Sequence, residues 1–409
     1  MSLLDRRKIA PVLGHGGWLV AALSAAIFFQ FALNRGGVET AIWAAGLFLI
    51  LQASVGSFSL HRLSRREWLF LGGTACVLLL SWVFSPDVTD TARSGRIVKF
   101  AILALAVQHV AQQSHGKHLR SWVAALTVTI VLWQFSVRHF TGSPYGTFAN
   151  PHYLAYFSAL LLPLLLFAAT WFDRPYRYAM YLIVLLDLDL VFNDLVKPTI
   201  PLLALGAGLG VYGWSVSNRR VRRLVTLSLP LLLLALVLLI DETQIARLGL
   251  ATPSGDERVR LWADSLRMLR DNDALDWLVG NGIGSFRNEY LAYFPPEYRD
   301  LTLPHNHVLE LLYENGTIMT AMIIGFLASL GWRSLRLADS LADADLRRLA
   351  RCSVTTLTIW FTFSFLAFGF YSRYTLYPLG FLTGVSFFLD RQGGPACRSS
   401  PLFPAKQNR

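Results

Sequence analysis

Cysteine is almost missing from this sequence: Cys76, Cys352 and Cys397 are the only three in 409 residues, and no two share a C-x-x-C spacing. That excludes a disulfide framework and a cysteine-built zinc site. Charge is scarce as well. With 15% charged against 54% hydrophobic residues and a mean hydropathy of +0.44, the chain is too apolar for a water-soluble fold of its length, and the bilayer is its solvent. No internal repeat or low-complexity tract stands out, and no Ser/His/Asp nucleophile arrangement is identifiable. Gly282-x-Gly284 has no βαβ context, so it is no dinucleotide fingerprint.

What is there is a series of apolar runs. At about twenty residues per crossing, they predict an all-α polytopic membrane protein with about twelve transmembrane helices, near 17–34, 38–57, 67–84, 97–112, 121–138, 153–172, 178–193, 199–214, 224–240, 307–332, 351–371 and 375–389. The N-terminal Arg6-Arg7-Lys8 followed by an apolar run reads as the first membrane anchor, since so many further spans follow.

A net charge of +11 would suggest nucleic acid for a soluble protein. Here most of the 37 Lys and Arg residues fall in alternate connections, among them Arg62/Arg65/Arg66, Lys117/Arg120, Arg219 to Arg223 and Arg333 to Arg351. The positive-inside rule therefore puts both termini in the cytoplasm, and nucleic acid is not an expected partner. The division that follows is helices over 1–240, one long outward loop over 241–306, helices over 307–390, and a basic, disordered cytoplasmic tail over 391–409.

The outward loop is too long to be a simple connector. Glu257 to Arg270 reads as an amphipathic helix with Val259, Trp262, Leu266 and Leu269 on its apolar stripe, and with Arg260/Asp264 and Arg267/Asp271 as i,i+4 pairs. A glycine-rich turn, Gly280-Asn281-Gly282-Ile283-Gly284, precedes a second short helix, and Pro295-Pro296 breaks the chain. The loop ends on Pro304-His305-Asn306-His307, where the tenth span begins.

Those residues are the first candidates for chemistry. A helix N-terminus disfavours a cation, so a neutral His305 imidazole there is suited to act as a base. The structural alternative is that Asn306 caps the helix while His305 and His307 are interface spacers. Arg258 has the planar fork that grips phosphate, or else belongs with Arg260, Arg267 and Arg270 to a solvated helix face. Arg93, Arg96 and Lys99 approach membrane depth, where such cations either snorkel to the interface or meet a lipid phosphate. Arg138 and Lys197 are single cations at outward ends. Asp187 and Asp189 lie inside the seventh span but point to different sides, which suits pairing with Lys197 or another cation better than a metal site.

The order and spacing of these residues resemble the O-antigen ligase and polymerase superfamily of bacterial inner-membrane glycosyltransferases. Arg258-x-x-Leu261-Trp262, then Leu278 to Phe286, then His305-Asn306 with Gly316 ten residues beyond the asparagine, look like that family's signature loop. Gly146-Thr147-Phe148-Ala149-Asn150-Pro151-His152 resembles its other outward motif. One departure stands out: where the family often has a Ser-Arg-Gly type segment, this chain reads Asn193-Asp194-Leu195-Val196-Lys197-Pro198, and a lysine lacks the bidentate fork.

The resemblance implies a GT-C-like fold and an activity in lipopolysaccharide biosynthesis at the periplasmic face of the bacterial inner membrane. The donor would be a glycan on undecaprenyl diphosphate and the acceptor lipid A-core, with membrane lipids around the chain. His305 would be the catalytic base, supported by Asn306, His307 and Glu310. Arg258, Arg96, Lys197, Arg138 and Arg267 would be the cations for the diphosphate. No metal or other cofactor is implied, because fixed cations can stabilise a diphosphate leaving group, and direct displacement would invert the anomeric centre. The late loop and compact length favour a ligase; a polymerase using the same donor is the alternative. A secondary transporter coupled through Asp187 and Asp189 is the reading from another class, against which the late outward loop argues.

Overall fold

A computed structural model of the protein describes residues 42–43, 45–47, 49–50, 63–84, 90–113, 117–142, 151–170, 172–192, 199–216, 253–293, 305–367 and 369–393. The predicted spans at 17–34 and 224–240, most of the Gly146 to His152 motif, Lys197 and the tail after Gly393 lie outside these residues. Within them the chain is helical, with no strand.

The helices are α1 (Arg65–Phe84), α2 (Thr91–Gln113), α3 (Lys117–Phe140), α4 (Pro151–Ala169), α5 (Arg174–Val191), α6 (Thr199–Val216), α7 (Pro253–Asp271), α8 (Ala274–Val279), α9 (Ser285–Glu289), α10 (His307–Ser340), α11 (Ala344–Ala367) and α12 (Arg373–Gly393). Nine of the expected spans thus coincide with described helices. By length and composition alone, four of the described helices suffice to cross a membrane: Arg65–Val83, Thr91–Gln112, His307–Ser340 and Ala344–Leu366. Tyr153–Ala169 and Leu203–Val216 are shorter apolar helices.

Local chemistry sets several boundaries. α2 begins at Thr91 and not near residue 97, because Asp90 caps it: its carboxylate accepts from the backbone N–H of Ala92 at 2.8 Å and of Arg93 at 3.2 Å. Arg93 and Arg96 are therefore helical. α4 starts on Pro151 and α5 has Pro175 in its first turn, where the missing N–H costs nothing.

Packing joins α2 to α12, and sets α11 against α4, α6 and α10. The α2–α12 crossing is close because Gly384 faces α2: a Cβ there would stand 2.5 Å from the Ala104 carbonyl oxygen. Small residues at such crossings let apolar helices gain dispersion contacts, the main attraction between helices in lipid.

Two polar clusters sit toward opposite ends of these helices. At one end, buried Glu67 accepts from Arg391 at 2.6 and 3.0 Å and from Gln108, while Asp390 pairs with Arg66 at 3.0 Å and with Arg333. The other end holds Arg93, which at roughly 1.5 Å per residue of α2 lies about 22 Å from Gln108.

Candidate functional site

The site end is built on a break in α10. Gly316 interrupts that helix with φ 68° and ψ −179°, a backbone region that only glycine occupies without strain. The break frees the carbonyls of Tyr313 and Glu314 from the helical ladder. The glycine-rich turn takes them up: the N–H of Asn281 donates to Tyr313 O at 2.9 Å, and that of Gly282 donates to Glu314 O at 2.9 Å. Gly280, at φ 83° and ψ 171°, lies so close that a Cβ on it would meet the Asn315 and Gly316 nitrogens at 2.4 Å.

The same turn is fastened to α1 and α2. Ile283 N–H donates to the Ser81 hydroxyl at 2.8 Å, and Asp90 N–H donates to Ile283 O at 2.7 Å. Below it, Leu261, Met268 and Leu269 of α7, Phe286 and Tyr290 form an apolar cluster with Leu309 and Tyr313 of α10. Tyr313 also donates to Glu289 at 2.6 Å. The loop is thus a packed element seated on the first turns of α10, and its helix, glycine turn and second short helix appear in the predicted order.

The predicted stripe of α7 needs correction. Leu266 is 56% exposed, and the buried face is Leu261, Ser265, Met268 and Leu269, because α10 meets α7 on that side. Arg267 pairs with Asp264 at 2.7 Å, one turn back, and not with Asp271. Its side chain is 64% exposed but that of Asp264 is 10% exposed, so water screens the pair from the arginine's side only; Arg267→Ala is expected to lower the unfolding free energy by about 1 kcal/mol, read from a thermal melt.

His305 lies in the turn before α10, half-buried, with φ 50°. A left-handed conformation is uncommon for a side-chain-bearing residue, and histidine is among those that tolerate it best. Asn306 is the helix cap: its Oδ1 accepts from Val308 N–H at 3.0 Å and Leu309 N–H at 3.2 Å. His307 is fully buried among Trp360, Phe361, Phe365 and Phe370, with ring centroids 5.0 to 6.5 Å away. That makes it part of an aromatic core between α10 and α11 and not an interface spacer.

Glu310, also fully buried, accepts from Arg93 at 3.3 Å and from the Phe370 backbone N–H. Glu314 accepts from the same guanidinium nitrogen at 2.7 Å, and Asp90 stands 3.5 Å from Arg93 Nε. A single buried arginine thereby ties the start of α2 to two carboxylates one turn apart on α10. The sequence offered Arg93 only as a snorkelling or lipid-facing cation and did not mark Glu314; two glutamates at i,i+4 entering an apolar helix were the available signal.

The other predicted cations are dispersed. Arg96 is half-buried and donates to the Tyr371 carbonyl at 3.0 Å, which keeps it near Glu310. Lys99 is buried with its ammonium 5.8 Å from the Trp43 ring. Arg138 bonds the carbonyl and carboxylate of Asp189 at 2.8 and 3.0 Å, and His139 reaches the same carboxylate at 3.0 Å. Asp189 has therefore found a cation, from α3. Asp187 is fully buried on α5. Arg258 lies in the second turn of α7, a turn ahead of Trp262; its side chain is outside the described residues, as is that of Arg260. Among the described residues no group of three or more His, Cys, Asp or Glu side chains is placed to hold a metal ion.

Residues 199–324, which include α6 to α9, His305 and the first half of α10, match the family model described as O-antigen ligase. No curated protein matches the chain.

Proposed function

Through residues 199–324 the chain belongs to the O-antigen ligase/polymerase superfamily, and from that premise we propose that it is an O-antigen ligase of the bacterial inner membrane. In this reading it moves a glycan from undecaprenyl diphosphate to a sugar hydroxyl of lipid A-core at the periplasmic face, with both termini in the cytoplasm. The observation that carries the reading is the family match falling on the same segment that seats the loop on α10 and sets His305 in the turn at its start.

The chemistry needs few groups. A neutral His305 imidazole takes the proton of the acceptor hydroxyl as its oxygen attacks the anomeric carbon. The bond from that carbon to the diphosphate oxygen breaks, undecaprenyl diphosphate leaves, and the configuration inverts. Fixed cations stabilise the departing charge. Arg258, in the second turn of α7, and Arg96, which uses one nitrogen on the Tyr371 carbonyl, are the first choices; Lys197, Arg138 and Arg267 are secondary. Arg93 is committed to its carboxylates and holds the floor. Asn306 sets the helix start, while His307 and Glu310 brace the turn and α10 from within.

The test is to incubate the purified protein with undecaprenyl-diphosphate-linked glycan and lipid A-core and read glycolipid mobility. Wild type is expected to give glycosylated lipid A-core, and His305→Ala to lose at least about 100-fold, the usual worth of a general base. Longer carrier-linked glycan in place of that product identifies a polymerase. Absence of glycan transfer with active components overturns the reading.

A further inference from the structure

The short helix α8 has its polar and apolar sides exchanged for an element that faces water. Ala274, Leu275, Trp277 and Leu278 are exposed, the last three by 53, 37 and 49%. Asp276 and Val279, which share the remaining side of the helix, are half-buried. A surface helix in water keeps its leucines inward and its acid outward; this one does the reverse.

The height of α8 in the molecule accounts for the exchange. Asp390 pairs with Arg66 of α1 and with Arg333 of α10, which sets those two arginines at one level. From there α1 rises about 24 Å to Trp82, and α10 runs about 26 Å back to Gly316, at roughly 1.5 Å per residue. Both lengths come close to the roughly 30 Å of a hydrocarbon core. The two far points are joined by the glycine turn, whose Ile283 N–H donates to Ser81 at 2.8 Å and whose Gly280 abuts Gly316. α8 runs directly into that turn, and its Leu278 carbonyl lies against Gly316. The helix therefore stands where α1 and α10 leave the hydrocarbon.

Its neighbours at that level are apolar and exposed too. Leu79, Trp82 and Val83 close α1, and Ile318 opens the stretch of α10 after Gly316, on two helices long and apolar enough to cross a bilayer. The outer face of α8 borders this surface. Trp82 and Trp277 mark the boundary, where an indole meets lipid with its ring and water with its N–H.

We propose that α8 is an interfacial anchor, lying in the headgroup–acyl boundary on the loop's side of the bilayer with Leu275, Trp277 and Leu278 inserted among phospholipid chains. The loop is then held from two sides, by α10 and by lipid. The proposal rests on the membrane reading and not on the transfer chemistry.

The experiment is spin labelling of the full chain in phosphatidylcholine vesicles, with Cys76, Cys352 and Cys397 replaced by alanine and one label at Leu278→Cys. Molecular oxygen concentrates in lipid while a nickel chelate stays in water, so the ratio of their relaxation effects reads the surroundings of the label. Ile318→Cys, exposed on α10, and Arg270→Cys, exposed at the end of α7, are the lipid and water references. The Leu278 label is expected to favour oxygen as the Ile318 label does, with the preference reversed at Arg270. Leu275→Cys, also on the exposed side, repeats the reading should the first variant fail to fold. A label that prefers the chelate, one shielded from both reagents by another part of the chain, or spin–spin broadening that disappears on dilution with unlabelled protein, the mark of a second copy, overturns the proposal. Glycan transfer plays no part in the readout, so a failure here is separate from a failure of the ligase reading.

Discussion

Replacing Arg93 with alanine is expected to lower the unfolding free energy by about 3–5 kcal/mol, because it leaves Glu310 and Glu314 buried without their cation. Neither carboxylate can reach water: they are 0 and 1% exposed. The cost is therefore mainly that of stranded charge, and it is recoverable. Arg93→Ala combined with Glu314→Gln should be more stable than Arg93→Ala alone, a non-additivity that thermal melts of the two single variants and the double variant will reveal. Arg93→Lys should fall between wild type and alanine, since a point charge cannot serve Asp90, Glu310 and Glu314 with the geometry of a guanidinium. Simple additivity in the cycle, or an Arg93→Ala melt within 1 °C of wild type, refutes the account.

That cluster also marks where the sequence stops being readable. Apolar runs and breakers locate nine of the described helices and the helix–turn–helix order of the loop, because these are local matters of period and turn chemistry. Asn306 as a cap, and His305 at the helix start, follow from the same local rules. What joins them does not: Arg93 meets Glu314 across 221 residues of chain, and Asp189 meets Arg138 across 51, so the choice of partner belongs to the packing. The exposed Leu266 makes the same point. Periodicity shows that α7 has an apolar side, while the face that is buried is decided by where α10 supplies Leu309 and Tyr313. Gly280, Gly282 and Gly284 were legible as a turn, yet their use, which is to answer the carbonyls freed at Gly316, depends on a break that the run from His307 to Ser340 does not announce.

The second large effect is expected at that break. Gly316→Ala places a Cβ 2.3 Å from the Leu278 carbonyl oxygen and 2.6 Å from the Gly280 nitrogen, at a φ and ψ that side chains do not adopt. Conformational strain alone is about 1–3 kcal/mol, and the clash is with backbone, which has no rotamer to give way. The loop must lift from α10. Lifting it removes the donors from Tyr313 O and Glu314 O, at about 1–3 kcal/mol for each buried carbonyl left unanswered, and separates Leu261, Met268 and Phe286 from Leu309 and Tyr313. Gly280→Ala meets the same contact from the other side and should give the same result. The expected outcome is rapid proteolysis within 253–293 and loss of the proposed glycan transfer, with the remaining helices intact by circular dichroism. Gly325→Ala is the control on the same helix: among the described residues nothing stands within 4 Å of its Cβ, and exchanging glycine for alanine inside a helix stabilises by up to about 1 kcal/mol. If Gly316→Ala resists protease like Gly325→Ala, the loop does not depend on the glycine contact, and the seating of His305 must be explained some other way.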